Sequence, residues 1–143
     1  CILADADSDG LHIAALLCAL FVKHYIPLVK EGRIYVAMPP LYRIDSAKDV
    51  FYARDDEEKN AILEKMSDKK AHNANVQRFK GLGEMNPNQL KETTLDPATR
   101  TLIQLNIDSH KKTEEILDML LGKKRASDRR AWLKKKGNLI SNI

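Results

Sequence analysis

Cys1-Ile2-Leu3-Ala4-Asp5-Ala6-Asp7-Ser8-Asp9-Gly10-Leu11-His12-Ile13 is a short apolar run that gives way to three alternating aspartates and a glycine. A helical apolar period then begins, with Ile13, Leu16, Leu17, Leu20 and Phe21 at helix spacing. A buried strand at residues 2–4 that delivers polar side chains to a turn and continues as a helix is the opening of an α/β unit. In such units sites gather outside the carboxyl ends of the strands. The other face of the helix carries Ala14, Ala15, Cys18 and Ala19, small enough for close packing on a sheet, so the helix is expected to be mostly buried.

Asp5 and Asp7 are two residues apart, so in extended chain their carboxylates project from the same side. Hard divalent cations take such oxygen ligands. Three neighbouring acids repel one another, and a bound Mg²⁺ relieves that repulsion while polarising a phosphate oxygen. The milder alternative is an acidic turn that only caps the following helix, a role that suits Asp9 best. Asp5, Asp7, Asp9 and Gly10 also match the first half of the calcium-binding loop pattern, but its twelfth position falls on Leu16, where a bidentate Glu is needed. A phosphatase with an aspartyl nucleophile starts with a similar strand, yet its other parts are not recognisable here.

Outward from this turn, the pattern predicts a short helix over residues 27–30 stopped by Gly32, then a strand over 33–38 ended by Pro39-Pro40. Residues 41–44 and 51–53 read as a hairpin that continues the sheet. Asp55, Asp56, Glu57 and Glu58 put acid in the first turn of a surface helix that residues 60–66 complete, and residues 67–75 read as a loop. Then come a strand from Val76 to Phe79 or Lys80, a sharp turn at Lys80-Gly81-Leu82-Gly83, and a helix opened by Asn86-Pro87. The helix ends before Asp96-Pro97. Residues 101–107 alternate as a strand, and 113–121 and 127–136 read as helices stopped by Gly122 and Gly137, with Ser127 as an N-cap.

The 143 residues, 43% hydrophobic and 31% charged, exclude a disordered or fibrous chain. The longest apolar run, residues 13–22, is about half of the roughly 20 residues a membrane helix needs, and no signal peptide precedes it, so a cytoplasmic protein without a membrane partner is expected. Cys1 and Cys18 are too few and too oddly placed for a disulfide framework or a zinc site, and Cys18 is expected inside. The net charge of +4 is uneven: residues 111–136 hold ten Lys or Arg against four Asp or Glu. That is the balance of a tail that meets phosphate backbones. A start inside a strand predicts a piece of a larger polypeptide. Two parts are expected, residues 1–110 and a helical basic tail at 111–143.

The residues 4–13, Ala-Asp-Ala-Asp-Ser-Asp-Gly-Leu-His-Ile, resemble the DxDxDGxHI motif of TOPRIM domains in bacterial type IIA DNA topoisomerases. Gln77-Arg78-Phe79-Lys80-Gly81-Leu82-Gly83-Glu84-Met85-Asn86-Pro87, continuing to Glu92-Thr93-Thr94 and Asp96-Pro97, resembles a second signature of that region. Pro39-Pro40-Leu41-Tyr42 lies between the two in the expected order. Met119-Leu120-Leu121-Gly122 and Asp128-Arg129-Arg130-Ala131-Trp132-Leu133 agree as well, so the resemblance covers essentially the whole chain. Ser8 and the Arg129-to-Trp132 ending look more like the topoisomerase IV branch than the gyrase branch.

The resemblance implies the C-terminal part of a TOPRIM domain, a Rossmann-like sheet flanked by helices, with a small helical tail. It implies an enzyme that cleaves both DNA strands, passes another duplex through the break and religates it. The B subunit supplies Mg²⁺ ligands, and the A subunit of topoisomerase IV supplies the attacking tyrosine in an A2B2 heterotetramer. ATP is used by a separate domain of the full-length protein. Carried over by motif, Asp5 and Asp7 are metal ligands, Asp9 is a weaker ligand, and His12 and Lys80 touch DNA phosphates. Arg129 and Arg130 are the DNA-facing candidates of the tail. No catalytic nucleophile is expected on this chain, and Tyr25, Tyr35, Tyr42 and Tyr52 read as packing residues. The family's metal site also includes a glutamate from an upstream Glu-Gly-Asp-Ser stretch that does not occur here, so the upstream part of the B subunit is a further expected partner.

Overall fold

The structure, a computed structural model, describes residues 1–47, 49–66 and 73–136. They fall into two compact units, Cys1–Leu105 and Asn106–Ile143. The class is the expected mixture of helices and sheet, with the strands paired in small antiparallel sheets.

In the first unit, the opening apolar run makes a single parallel bridge, Ile2 to Val36, with Ile2 N–H donating to the Tyr35 carbonyl at 2.7 Å and Ala37 N–H to the Ile2 carbonyl at 2.9 Å. The chain then enters α1 (Ser8–His24), for which Asp7 is the N-cap, its Oδ1 accepting the Gly10 N–H at 2.8 Å. Such a cap contributes about 1 kcal/mol. After α1 comes α2 (Ile26–Lys30), with Pro27 in the first turn, where its missing N–H has no intrahelical partner to lose. Gly32 leaves it with φ 67°, the left-handed conformation that glycine adopts without strain.

The strand β1 (Tyr35–Ala37) pairs with β5 (Leu102–Gln104), and both are shorter than the alternating sequence predicts. The hairpin of β2 (Tyr42–Ser46) and β3 (Asp49–Ala53) forms a second sheet rather than an extension of the first, with β4 (Asn75–Arg78) on the other side of β2. Pro39-Pro40 supplies the reason, because two successive residues that cannot donate interrupt any ladder running from β1 to β2. Helix α3 (Asp56–Lys65) packs on β3, with Asp56, Glu57 and Glu58 in its first turn as expected. Asp55 caps it, its Oδ1 accepting the Glu58 N–H. The loop expected at residues 67–75 lies mostly outside the described residues. Past β4, the short α4 (Pro87–Leu90) carries a full capping box between Asn86 and Gln89.

Helix α1 differs from expectation in burial. Only Gly10, Ala14 and Val22 are buried, while Ile13, Leu16 and Leu20 are 54%, 45% and 44% exposed. The helix turns its small face inward: Ala14, Cys18 and Val22, spaced by four, share one side and allow the backbone to approach, and the bulky residues fall on the opposite side. Cys18 is half-buried, which pushes its thiol pKa up.

Ile44 is fully buried on β2, between Phe51 of β3 and Val76 of β4. Replacing it by alanine is expected to cost about 2–5 kcal/mol in urea unfolding. A loss below about 1 kcal/mol would mean that the centre of this sheet collapses around the gap. Tyr42, at the start of the same strand, donates its hydroxyl to Asp56 at 2.9 Å and lies under Lys59, whose Nζ is 4.6 Å from the ring centre.

In the second unit, α5 (His110–Leu121) starts after Ser109, and α6 (Ala126–Lys136) begins one residue before the expected N-cap at Ser127. Gly137, the expected stop of α6, lies outside the described residues. Neither α5 nor α6 contains a buried residue, and Ile116, Trp132 and Leu133 are 51%, 41% and 52% exposed.

Candidate metal centre

Asp5 lies three residues past the Ile2 bridge, and its carboxylate is met by a segment 77 residues further on: Leu82 N–H donates to Asp5 Oδ1 at 2.7 Å. Leu82 lies in a single 3₁₀ turn (Leu82–Glu84) that follows β4. The two motif blocks of the sequence therefore meet at one carboxylate. Gly10 is buried against the same residue from the other side. A Cβ there would fall 2.1 Å from the Asp5 carbonyl oxygen, so only glycine lets α1 start this close to the Asp5 backbone.

Asp7, through its cap, and Asp5, through Leu82, each have Oδ1 engaged by a backbone N–H. Their Oδ2 atoms have no donor among the described residues. Asp9 is exposed in the first turn of α1, in the region where the helix dipole favours negative charge. No three His, Cys, Asp or Glu side chains are gathered tightly enough to hold a metal among the described residues. The donors that are present fit Mg²⁺ in kind, because that ion takes one or two protein carboxylates and completes its shell with water and phosphate oxygens.

Beside Asp5 lies a cleft of about 290 Å³ lined by Gly10, Ala14, Val36, Arg54 and Asp55 among others. Arg54 and Asp55 carry no signal of a site in the sequence, because they follow β3 of a hairpin with no motif of its own. Arg54 pairs with Glu58 at 3.0 Å, and that hydrogen bond holds the Glu58 carboxyl below the usual carboxylate range.

Of the expected DNA contacts in the first unit, His12 is exposed one turn into α1 and Lys80 is exposed at the start of the turn that reaches Asp5. In the second unit Arg130 is exposed, whereas Arg129 is half-buried. Its Nη1 donates to the Met119 carbonyl at 3.2 Å and the Gly122 carbonyl at 2.7 Å, closing the C-terminus of α5. Three of the tyrosines are held by their hydroxyls: Tyr42 donates to Asp56, Tyr35 accepts from Gln104, and Tyr52 lies 3.5 Å from Glu92. Tyr25 is half exposed, with its ring 5.7 Å from that of Phe21.

Among the described residues no helix is long and apolar enough to cross a membrane. Residues 71–134 match the family profile of the DNA gyrase B subunit, carboxyl terminus. The chain is 64% identical over 140 residues to the B subunit of DNA topoisomerase 4 from Pseudomonas aeruginosa, covering 97% of this chain and 22% of that protein. It is 62% identical over 144 residues to the corresponding Haemophilus influenzae protein, covering 98% of this chain and 23% of that one. The match to the B subunit of DNA gyrase is lesser, with 43% identity over 128 residues for the Thermotoga maritima protein, covering 90% of this chain and 20% of that one.

Proposed function

The chain belongs to the family of topoisomerase 4 and gyrase B subunits, spanning about a fifth of the length of the curated relatives it matches, and from that premise we propose that it carries the metal-binding part of a type IIA topoisomerase that breaks and rejoins double-stranded DNA. The observation that carries this reading is the Leu82 to Asp5 hydrogen bond, which joins both motif blocks at one carboxylate beside an open cleft.

In this reading Asp5 and Asp7 offer their Oδ2 atoms to Mg²⁺, and Asp9 adds negative charge nearby. When bound, the cation supplies charge stabilisation at the attacking and leaving oxygens of phosphoryl transfer. His12 and Lys80 hold the phosphates of the strand being cut, and Arg130 adds to the positive field of the tail. The attacking tyrosine comes from the A subunit, and the A2B2 assembly, ATP use in another domain and decatenation follow from the same premise. A glutamate from the upstream part of the B subunit completes the ligand set. The test is Mg²⁺-dependent DNA cleavage by the full-length protein with its A subunit, in which Asp5→Ala and Asp7→Ala should each remove activity. Unchanged cleavage in both overturns the metal assignment.

A second reading, a DNA-binding and docking module whose acids only shape the fold, is favoured by the absence of a three-ligand cluster among the described residues and by the basic tail. Lys80→Ala helps to separate the two. If Lys80 holds a phosphate at the cleavage site, DNA affinity falls uniformly across sequences, the slope of log K against log salt drops by about 1, and cleavage falls with it. Loss of binding without any change in cleavage per bound complex favours the docking module.

A further inference from the structure

The turn that meets Asp5 is fixed at both ends. Ahead of it, Phe79 is 2% exposed and donates its N–H to the Leu41 carbonyl at 2.9 Å, beyond the last β4 pairing of Arg78 with Tyr42. Behind it, Met85 is 8% exposed and its N–H donates to the Leu82 carbonyl at 3.2 Å. Across its mouth, Glu84 Oε2 accepts the Lys80 N–H at 2.8 Å, while the Glu84 N–H donates to the Gly81 carbonyl at 3.1 Å. The chain is thus folded into a loop whose inner N–H, that of Leu82, faces Asp5 Oδ1.

The two glycines of the turn are not equivalent. A Cβ on Gly81 would stand 3.0 Å from Asp5 Oδ2 and 3.1 Å from Cγ and Oδ1, whereas a Cβ on Gly83 would meet nothing within 4 Å. Gly81 has φ −171°, extended backbone open to any residue, so space rather than dihedral freedom calls for glycine there. The turn is therefore shaped to the whole carboxylate of Asp5, one oxygen hydrogen-bonded and the other against Gly81 without a donor among the described residues.

We propose that the 80–84 turn is the orienting element of Asp5, with Glu84 as the positioning residue that holds the turn and Gly81 as the gap that admits the carboxylate. This rests on the reading of Asp5 as a ligand of a divalent cation. Mg²⁺ demands near-ideal octahedral geometry, so a ligand displaced by a few tenths of an ångström is a poorer ligand even when it remains ionised. Groups that orient a metal ligand typically change metal affinity or activity by about 10–100-fold when removed.

The experiment uses the full-length protein in complex with its A subunit and DNA. It reads the Mg²⁺ concentration for half-maximal cleavage, the rate at saturating Mg²⁺, and the binding of Mn²⁺ alone by electron paramagnetic resonance. Gly81→Ala and Glu84→Ala are expected to raise the Mg²⁺ midpoint and weaken Mn²⁺ binding by about tenfold, with most of the saturating rate retained. Glu84→Gln keeps an acceptor for the Lys80 N–H and restores native values, which separates the hydrogen bond from the charge. Gly83→Ala leaves the metal response as it is, because its methyl group enters open space. If Gly81→Ala and Glu84→Ala match the native complex while Asp5→Asn raises the midpoint, the positioning role is overturned and the ligand stands. If Asp5→Asn changes nothing either, the ligand reading itself has failed. Should Gly81→Ala fail to fold, Glu84→Ala against Glu84→Gln decides the matter alone.

Discussion

Asp5→Ala in the full-length protein, paired with its A subunit, is expected to lower Mg²⁺-dependent DNA cleavage by about two to three orders of magnitude, a loss typical for removing one preorganised group that stabilises developing charge. DNA binding should survive, since the substitution removes a negative charge from a surface expected to face phosphates. Stability should hardly move. Asp5 is exposed, and what folding loses is the hydrogen bond from Leu82, a net contribution of about 1 kcal/mol. The measurement is cleavage of supercoiled DNA across a Mg²⁺ titration, alongside a binding isotherm at fixed salt. Equal cleavage at every Mg²⁺ concentration would remove Asp5 from the chemistry.

Gly10→Ala should damage the same site by a different route. The added methyl would have to occupy space 2.1 Å from the Asp5 carbonyl oxygen and 2.7 Å from its carbonyl carbon and amide nitrogen, all backbone atoms that no side-chain rotation can clear. Either α1 slides away from the Asp5 backbone or that backbone shifts, at the upper end of the about 1–3 kcal/mol that overpacking usually costs. Sliding also breaks the Asp7 cap, whose donor is the N–H of Gly10 itself. Gly10→Ala is therefore expected to lose cleavage together with several degrees of melting temperature, where Asp5→Ala loses cleavage alone. A variant that melts like the native protein and cleaves normally would show that the turn into α1 can relax around the methyl group.

The turn at Asp5 was legible from the residues because the alternation of acids, the glycine and the helical period each have a short-range physical cause. The Asn86 cap is of the same local kind, whereas the capping role expected of Asp9 falls on Asp7. What the sequence concealed depends on distant pairing. Nothing local to Leu82 marks its N–H as the partner of Asp5, and Arg54 enters the cleft only through the registration of β3 on β2. The apolar period of α1 reads correctly as a helix, but it carries two apolar faces, and period alone does not choose which is turned inward. Arg129 looked like an outward charge because basic runs on helices are normally solvated. Its carbonyl partners on α5 become adjacent only when the Gly122 turn folds the two helices together.

The bond between Asp5 and Leu82 spans 77 positions of the chain. Closing a loop of that length costs on the order of 4 kcal/mol of chain entropy before the contact returns anything, so such contacts depend on the rest of the fold rather than nucleating it. During synthesis Asp5 leaves the ribosome long before the segment that aims it. A nascent or truncated chain ending ahead of Leu82 carries all three aspartates without this hold on the first of them. In the proposed reading, the orientation of the Asp5 ligand is thereby tied to synthesis of the segment around Leu82.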